Sequence, residues 1–119
     1  MELELLEFEN GNLMVINALE KPIANIQEAI DILGNASYQG VVGVIMKEEQ
    51  FDAEFFDLKT RLAGEILQKY VNYHMKLAII GDFGKYESKA LQSFIIECNR
   101  GAHIYFVNDI DSALVKLTN

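Results

Sequence analysis

Only one cysteine, Cys98, occurs in the 119 residues, so no intramolecular disulfide can form. The chain must hold together by its core. Half of its residues are hydrophobic, and a chain of this length buries about two thirds of its unfolded surface. Bases are scarce as well: 10 Lys and Arg stand against 18 Asp and Glu, for a formal charge of −8. Such a surface repels phosphate backbones and anionic lipid head groups, which argues against nucleic-acid and membrane partners. No apolar run approaches ~18 residues, so no spanning helix is expected. The opening segment MELELLEFEN is acidic and lacks the basic region of a signal peptide. A cytoplasmic protein of one domain is the expectation.

What is present reads as alternating strands and helices. Leu3 and Leu5 alternate with glutamates, the pattern of an edge strand with one wet face. Asn10-Gly11 is a turn pair that tolerates positive φ, and Leu13–Ile16 runs back, making a hairpin. Pro22 punctuates the next turn. Asn25 followed by Glu28 has the spacing of a capping box, and Ile26, Ala29, Ile30 and Leu33 follow at helical spacing, with Gly34 or Gly40 as the stop. Val41–Ile45 and Leu77–Ile80 are short continuous apolar runs, as expected for parallel strands buried on both faces. Lys47–Gln50 is a polar break. Asp52 is placed to cap a short turn carrying Phe55 and Phe56.

The main helix is expected to run to about Tyr73, starting after Asp57 or Thr60. Leu58, Leu62, Ile66 and Tyr70 form one apolar row, with Lys59, Ala63, Leu67 and Val71 beside it. Asp57, Arg61, Glu65 and Lys69 form a row of alternating charge, read as a solvated ladder. A further helix spans Ser88 to Arg100, with Ala90, Leu91, Phe94, Ile95 and Cys98 inward and Gly101 after its end. His103–Val107 is the last strand, and Asp109 or Asp111 caps a final helix. The order ββαβαβαβα predicts one α/β domain. Its mixed five-stranded sheet has an N-terminal β-hairpin edge and flanking helices, which right-handed crossovers would place on both sides.

The segments FFDLKTRLAGEILQKYVNY, GDF, SKAL and ECNRG together resemble a small bacterial family catalogued as a domain of unknown function. That pattern carries glycine where Arg61 stands here, which would favour a cap at Thr60. The element order resembles the STAS domain of anti-sigma-factor antagonists. That resemblance implies a STAS-like fold and a phosphorylated hydroxyl at the start of the helix after the first buried strand. The nearest text is Leu58-Lys59-Thr60-Arg61-Leu62, where only Thr60 and Leu62 fit.

Candidate chemistry gathers at the C-terminal ends of the strands, where α/β sheets bind ligands. Thr60 and Ser88 are hydroxyls at helix starts, where an added phosphate is favoured by backbone N–H groups. Asp82 follows a strand in Gly81-Asp82-Phe83-Gly84-Lys85, which lacks Walker A spacing. Asn108 and Asp109 follow the last strand. Asp82 and Asp109 read as caps before they read as Mg²⁺ ligands. The expected rim is therefore Thr60, Arg61, Asp82, Ser88, Asn108 and Asp109, with the helices from Thr60 and Ser88 starting on one side and Asp82 between them. His74 and His103 fall at the opposite strand ends. With one cysteine and no close histidine pair in the sequence, no zinc site is expected. No nucleophile elbow occurs, and Cys98 lies mid-helix.

No cofactor and no catalytic residue are assigned. The leading expectation is a non-enzymatic regulatory or protein-interaction module. The alternative is a small-molecule or anion-binding protein, or a small enzyme, with its site on the strand rim. A homodimer using Tyr70, Tyr73 and Tyr86 is the plainest partner arrangement.

Overall fold

The computed structural model describes residues 1–119. Its elements follow the expected order: β1 (Glu2–Leu6), β2 (Leu13–Ala18), α1 (Ile26–Gln39), β3 (Gly43–Lys47), α2 (Leu62–Asn72), β4 (Lys76–Ile80), α3 (Lys89–Arg100), β5 (Ile104–Val107) and α4 (Ile110–Thr118). The five strands lie in chain order, with β1 antiparallel to β2 and the other pairs parallel. The hairpin turns at Asn10-Gly11, where Gly11 has φ +128° and a Cβ would meet Val42 Cγ1 at 2.7 Å. Both facts demand glycine there. No helix is long and apolar enough to cross a membrane.

Strand order decides where the helices go. Each crossover adds its strand on the same side of the previous one, so right-handed connections put α1, α2 and α3 on one face rather than distributing them over both. The larger core lies on that face and contains Met14, Ile16, Val44, Met46, Leu77 and Ile79 with the inward residues of the three helices. Only α4 covers the other face, packing Ala113 and Leu117 against Leu13, Ile45, Ala78 and Tyr105. Alternate residues of β2, β3 and β4 therefore enter different cores, which explains their continuous apolar runs.

Capping follows the sequence closely at α1, α3 and α4. Asn25 Oδ1 accepts from the Glu28 N–H at 2.9 Å, while Glu28 reaches the N–H of Ala24 rather than that of Asn25. Gly40 closes α1 in the left-handed region. Ser88 accepts from Leu91 and Asp109 from Ser112. Within α3, Leu91 and Ile95 are buried and Phe94 and Cys98 are half-buried, but Ala90 is exposed, because it sits in the solvent-facing first turn. Burial pushes the Cys98 thiol up to about 11, with the nearby Glu97 adding to the shift. Tyr70 is buried at 1% exposure, so it belongs to the core rather than to a dimer surface. Tyr73 is exposed, and Tyr86 is half-buried.

The start of α2 departs from expectation. Asp57 caps a separate 3-10 turn, Leu58–Thr60, and Arg61 stands at φ +65° between that turn and the helix. Asp57 and Arg61 thus lie outside α2, and none of the three ion pairs in the molecule falls in the expected charge ladder. The left-handed region costs a side-chain-bearing residue about 1–2 kcal/mol, and glycine returns part of this gain through its freedom when unfolded. Arg61→Gly is therefore expected to stabilise the fold by roughly 0.5–1 kcal/mol. Urea unfolding checks this: the midpoint should rise with an unchanged slope, and an unchanged or lowered midpoint would contradict it.

Candidate functional site

The parallel strands β3, β4 and β5 end at Lys47, Ile80 and Val107 on one rim. Glu48, the first residue past β3, organises it. Its Oε1 accepts from the backbone N–H of Asp82 at 3.2 Å. Its Oε2 accepts from the Tyr86 hydroxyl and pairs with Lys85 Nζ at 2.8 Å. The Glu48 side chain is only 13% exposed, whereas that of Lys85 is 55% exposed. Burial pushes the Glu48 carboxyl up, but Lys85, Tyr86 and the Asp82 N–H together outweigh it, and the net direction is down. The partners respond in kind. Tyr86 is held above the ordinary phenol value by burial and by Glu48, and Lys85 is raised, chiefly by its bond to Glu48. A carboxyl whose folded value is lowered stabilises the fold above its unfolded value, and that contribution is lost as pH falls through the folded value.

Backbone geometry makes room for this carboxylate. A Cβ on Gly81 would meet Glu48 Oε1 at 2.6 Å and Glu48 Cβ at 2.7 Å. Glycine is needed because another chain segment passes, not because of its φ. The turn after β4, Phe83–Lys85, is clamped from above by Gln92, whose Nε2 donates to the carbonyls of Phe83 and Tyr86 at 2.7 and 2.9 Å. Phe56 stacks on Tyr86 at 5.2 Å and 19° and also meets Phe83 at 6.1 Å. The loop leading to α2 and the loop leading to α3 are thereby tied together through aromatic packing.

Of the expected rim residues only Asp82 bonds to this cluster, and the others have separate duties. The Thr60 hydroxyl lies 2.8 Å from the carbonyls of both Glu54 and Asp57, and it accepts from the Leu62 N–H at 3.2 Å. Arg61, Ser88 and Asn108 are exposed. Asp82 contributes its backbone N–H to Glu48 while its side chain faces solvent. Asp109 is lowered by its bonds to Ser112 at the start of α4. No hydrogen bond joins Thr60, Asp82 and Ser88 to one another; Phe56 and Tyr86 bridge their loops. Sequence reasoning missed Glu48 and Gln92, and it read Lys85 only as part of the turn after β4 and Tyr86 only as a dimer-surface residue, not as partners of Glu48. The available signal was a glutamate directly after a buried strand, facing a Gly-Asp at the end of the next.

At the opposite strand ends, His74 and His103 come together with ring centroids 6.3 Å apart, although 29 positions separate their numbers. No three His, Cys, Asp or Glu side chains gather into a metal-holding group. A recess of about 260 Å³ opens at the C-terminal strand ends on the α4 face, floored by Val15, Ile45 and Ile80.

Residues 8–117 match the model of a protein family described as a domain of unknown function (DUF4180), and the chain belongs to that family. No curated protein and no solved structure matches it.

Proposed function

We propose that this member of the family is a bacterial, cytoplasmic regulatory module. It would resemble STAS domains and act by binding a protein partner, without catalysis of its own. The observation that supports the reading is the sheet: an antiparallel hairpin edge followed by parallel strands in chain order, the element order on which the STAS resemblance rests. The partner surface would be the strand rim, with Thr60, Arg61, Asp82, Ser88, Asn108 and Asp109 around the Glu48 cluster.

Two exposed hydroxyls would regulate that surface differently. A phosphate on Thr60 removes the hydrogen now offered to the Glu54 and Asp57 carbonyls and sets negative charge against them, loosening the turn before α2. A phosphate on Ser88 stands at the start of α3, where backbone N–H groups favour an anion. The experiment is to purify the protein from its native host, measure its intact mass, and place photo-crosslinking side chains at Lys59, Lys89 and Tyr38. Tyr38, at the end of α1, is the control. A partner captured from Lys59 and Lys89 but not from Tyr38 supports the reading. An unmodified protein with no rim crosslink, and Thr60→Glu and Ser88→Glu without effect in the host, overturns it.

A second reading, a small-molecule-binding protein with its site at the strand ends, is favoured by the recess on the α4 face.

A further inference from the structure

Because α4 is the one helix on its side of the sheet, it leaves the C-terminal ends of β2 to β4, and the antiparallel β1 beside them, partly open. The recess there is floored by Val15, Ile45 and Ile80, with Leu6 from β1 and Ile110 from α4 as walls. Its mouth carries one residue of each charge, Glu4 on β1 and Lys47 on β3. Neither takes part in an ion pair. The strand β2 runs between the two strands that carry them, and Lys47 lies two residues beyond the position across from Glu4, placing their backbones about 12 Å apart at ordinary strand spacing and rise. Asn17 of β2 lies beside them and donates to Glu4 Oε1 at a long 3.4 Å. In a chain with eight more acids than bases, a half-buried lysine without an acidic partner is unusual.

We propose that this recess binds a free aliphatic α-amino acid, side chain inward over Val15, Ile45 and Ile80, α-ammonium toward Glu4 and α-carboxylate toward Lys47. The inference rests on the small-molecule reading and specifies its ligand class. Three features select the class together. The volume of about 260 Å³ lies just below the range of roughly 300–1,000 Å³ that holds drug-sized molecules, which suits a single amino acid. The apolar floor prefers a branched hydrocarbon over a polar side chain. Opposite charges at the mouth disfavour a simple carboxylate, which Glu4 repels, and a simple amine, which Lys47 repels. A zwitterion answers both.

The test compares L-leucine with 4-methylpentanoate, which lacks its ammonium, and with 3-methylbutylamine, which lacks its carboxylate. Titration calorimetry and thermal shift would be run on the full chain. Leucine should bind saturably at millimolar concentration and raise the melting temperature, and each analogue should bind at least about tenfold more weakly. Glu4→Gln and Lys47→Gln should each cost about tenfold in leucine affinity, with Glu4→Gln leaving 4-methylpentanoate binding equal or better. Ile110→Glu, at a position 42% exposed, should abolish binding while circular dichroism shows an intact fold. Equal binding of leucine and 4-methylpentanoate would overturn the amino-acid assignment and leave the small-molecule reading standing. No saturable binding by any of the three probes would overturn the assignment and remove that reading's support.

Discussion

Gly81→Ala is expected to destabilise the protein by roughly 3 kcal/mol, far more than an added methyl at a strand end normally costs. The new Cβ would stand 2.6 Å from Glu48 Oε1 and 2.7 Å from Glu48 Cβ, inside contact distance. Turning the carboxylate aside cannot resolve the clash, since the Glu48 Cβ is fixed by its backbone. Either β3 and β4 shift apart at their ends, or Glu48 leaves and strands the Tyr86 hydroxyl and the Asp82 N–H. Overpacking costs about 1–3 kcal/mol, and a lost hydrogen bond to a charged group about 1.5–3 kcal/mol. Losing Glu48 would break two such bonds, so the strand shift is the cheaper route, and its upper end sets the figure of about 3 kcal/mol.

Two further measurements locate the effect. In a Glu48→Gly background the added cost of Gly81→Ala should fall by more than half, because both clashing atoms are gone. The acid limb of the stability curve should also change. Glu48 has a lowered folded value, so the native protein keeps its contribution above the unfolded carboxyl value and loses it as pH falls through the folded one. Gly81→Ala should flatten that loss. Unfolding midpoints matching the native protein across the acid range would contradict the account.

The contrast between Gly81 and Arg61 shows what was legible in the chain. Strands announced themselves through composition: the apolar runs at Val41–Ile45 and Leu77–Ile80 are strands β3 and β4, give or take two residues. Caps announced themselves through local spacing, as Asn25, Ser88 and Asp109 confirm. The start of α2 did not, because its apolar periodicity continues backward through Leu58 and hides a backbone break at Arg61. Strand order was also silent in the periodicity, since nothing in a buried strand says which edge the next one joins. That one fact moved three helices to a single face.

The rim was legible as a place but not as a set of contacts. Glu48 lay inside a polar break, and its partners Asp82 and Tyr86 are 34 and 38 positions away. Local spacing carries no information over such separations. Thr60, Ser88 and Asp109 were found because each caps its own turn or helix, a local duty. Hydroxyls and carboxylates that serve nearby backbone are what sequence spacing reveals best, and they are also the residues with the strongest plain structural reason to be there. The recess beside α4 depends on four strands and a helix, so it too was out of reach.

Asn99 provides the other large expected effect. It lies in the segment ECNRG, in the last turn of α3, yet its side chain serves β5. Its Oδ1 accepts from the Phe106 N–H at 2.7 Å, and its Nδ2 donates to the Phe106 carbonyl at 3.2 Å. One amide side chain thus reproduces both bonds that a sixth strand would make to Phe106, on the outer side of an edge strand whose inner side pairs with β4. Removing it leaves a partly buried donor and acceptor unanswered, at about 1–3 kcal/mol for each. Asn99→Ala is therefore expected to cost roughly 2–6 kcal/mol. Asn99→Asp keeps the acceptor for the Phe106 N–H but turns an oxygen toward the carbonyl, and it should be no milder. The second consequence is association. Freed from Asn99, the outward groups of Phe106 offer an edge for pairing with another chain, so the alanine variant should show concentration-dependent assembly in sedimentation. A stable Asn99→Ala protein with unchanged sedimentation would mean that water replaces the amide at no cost and that the edge is guarded by something else.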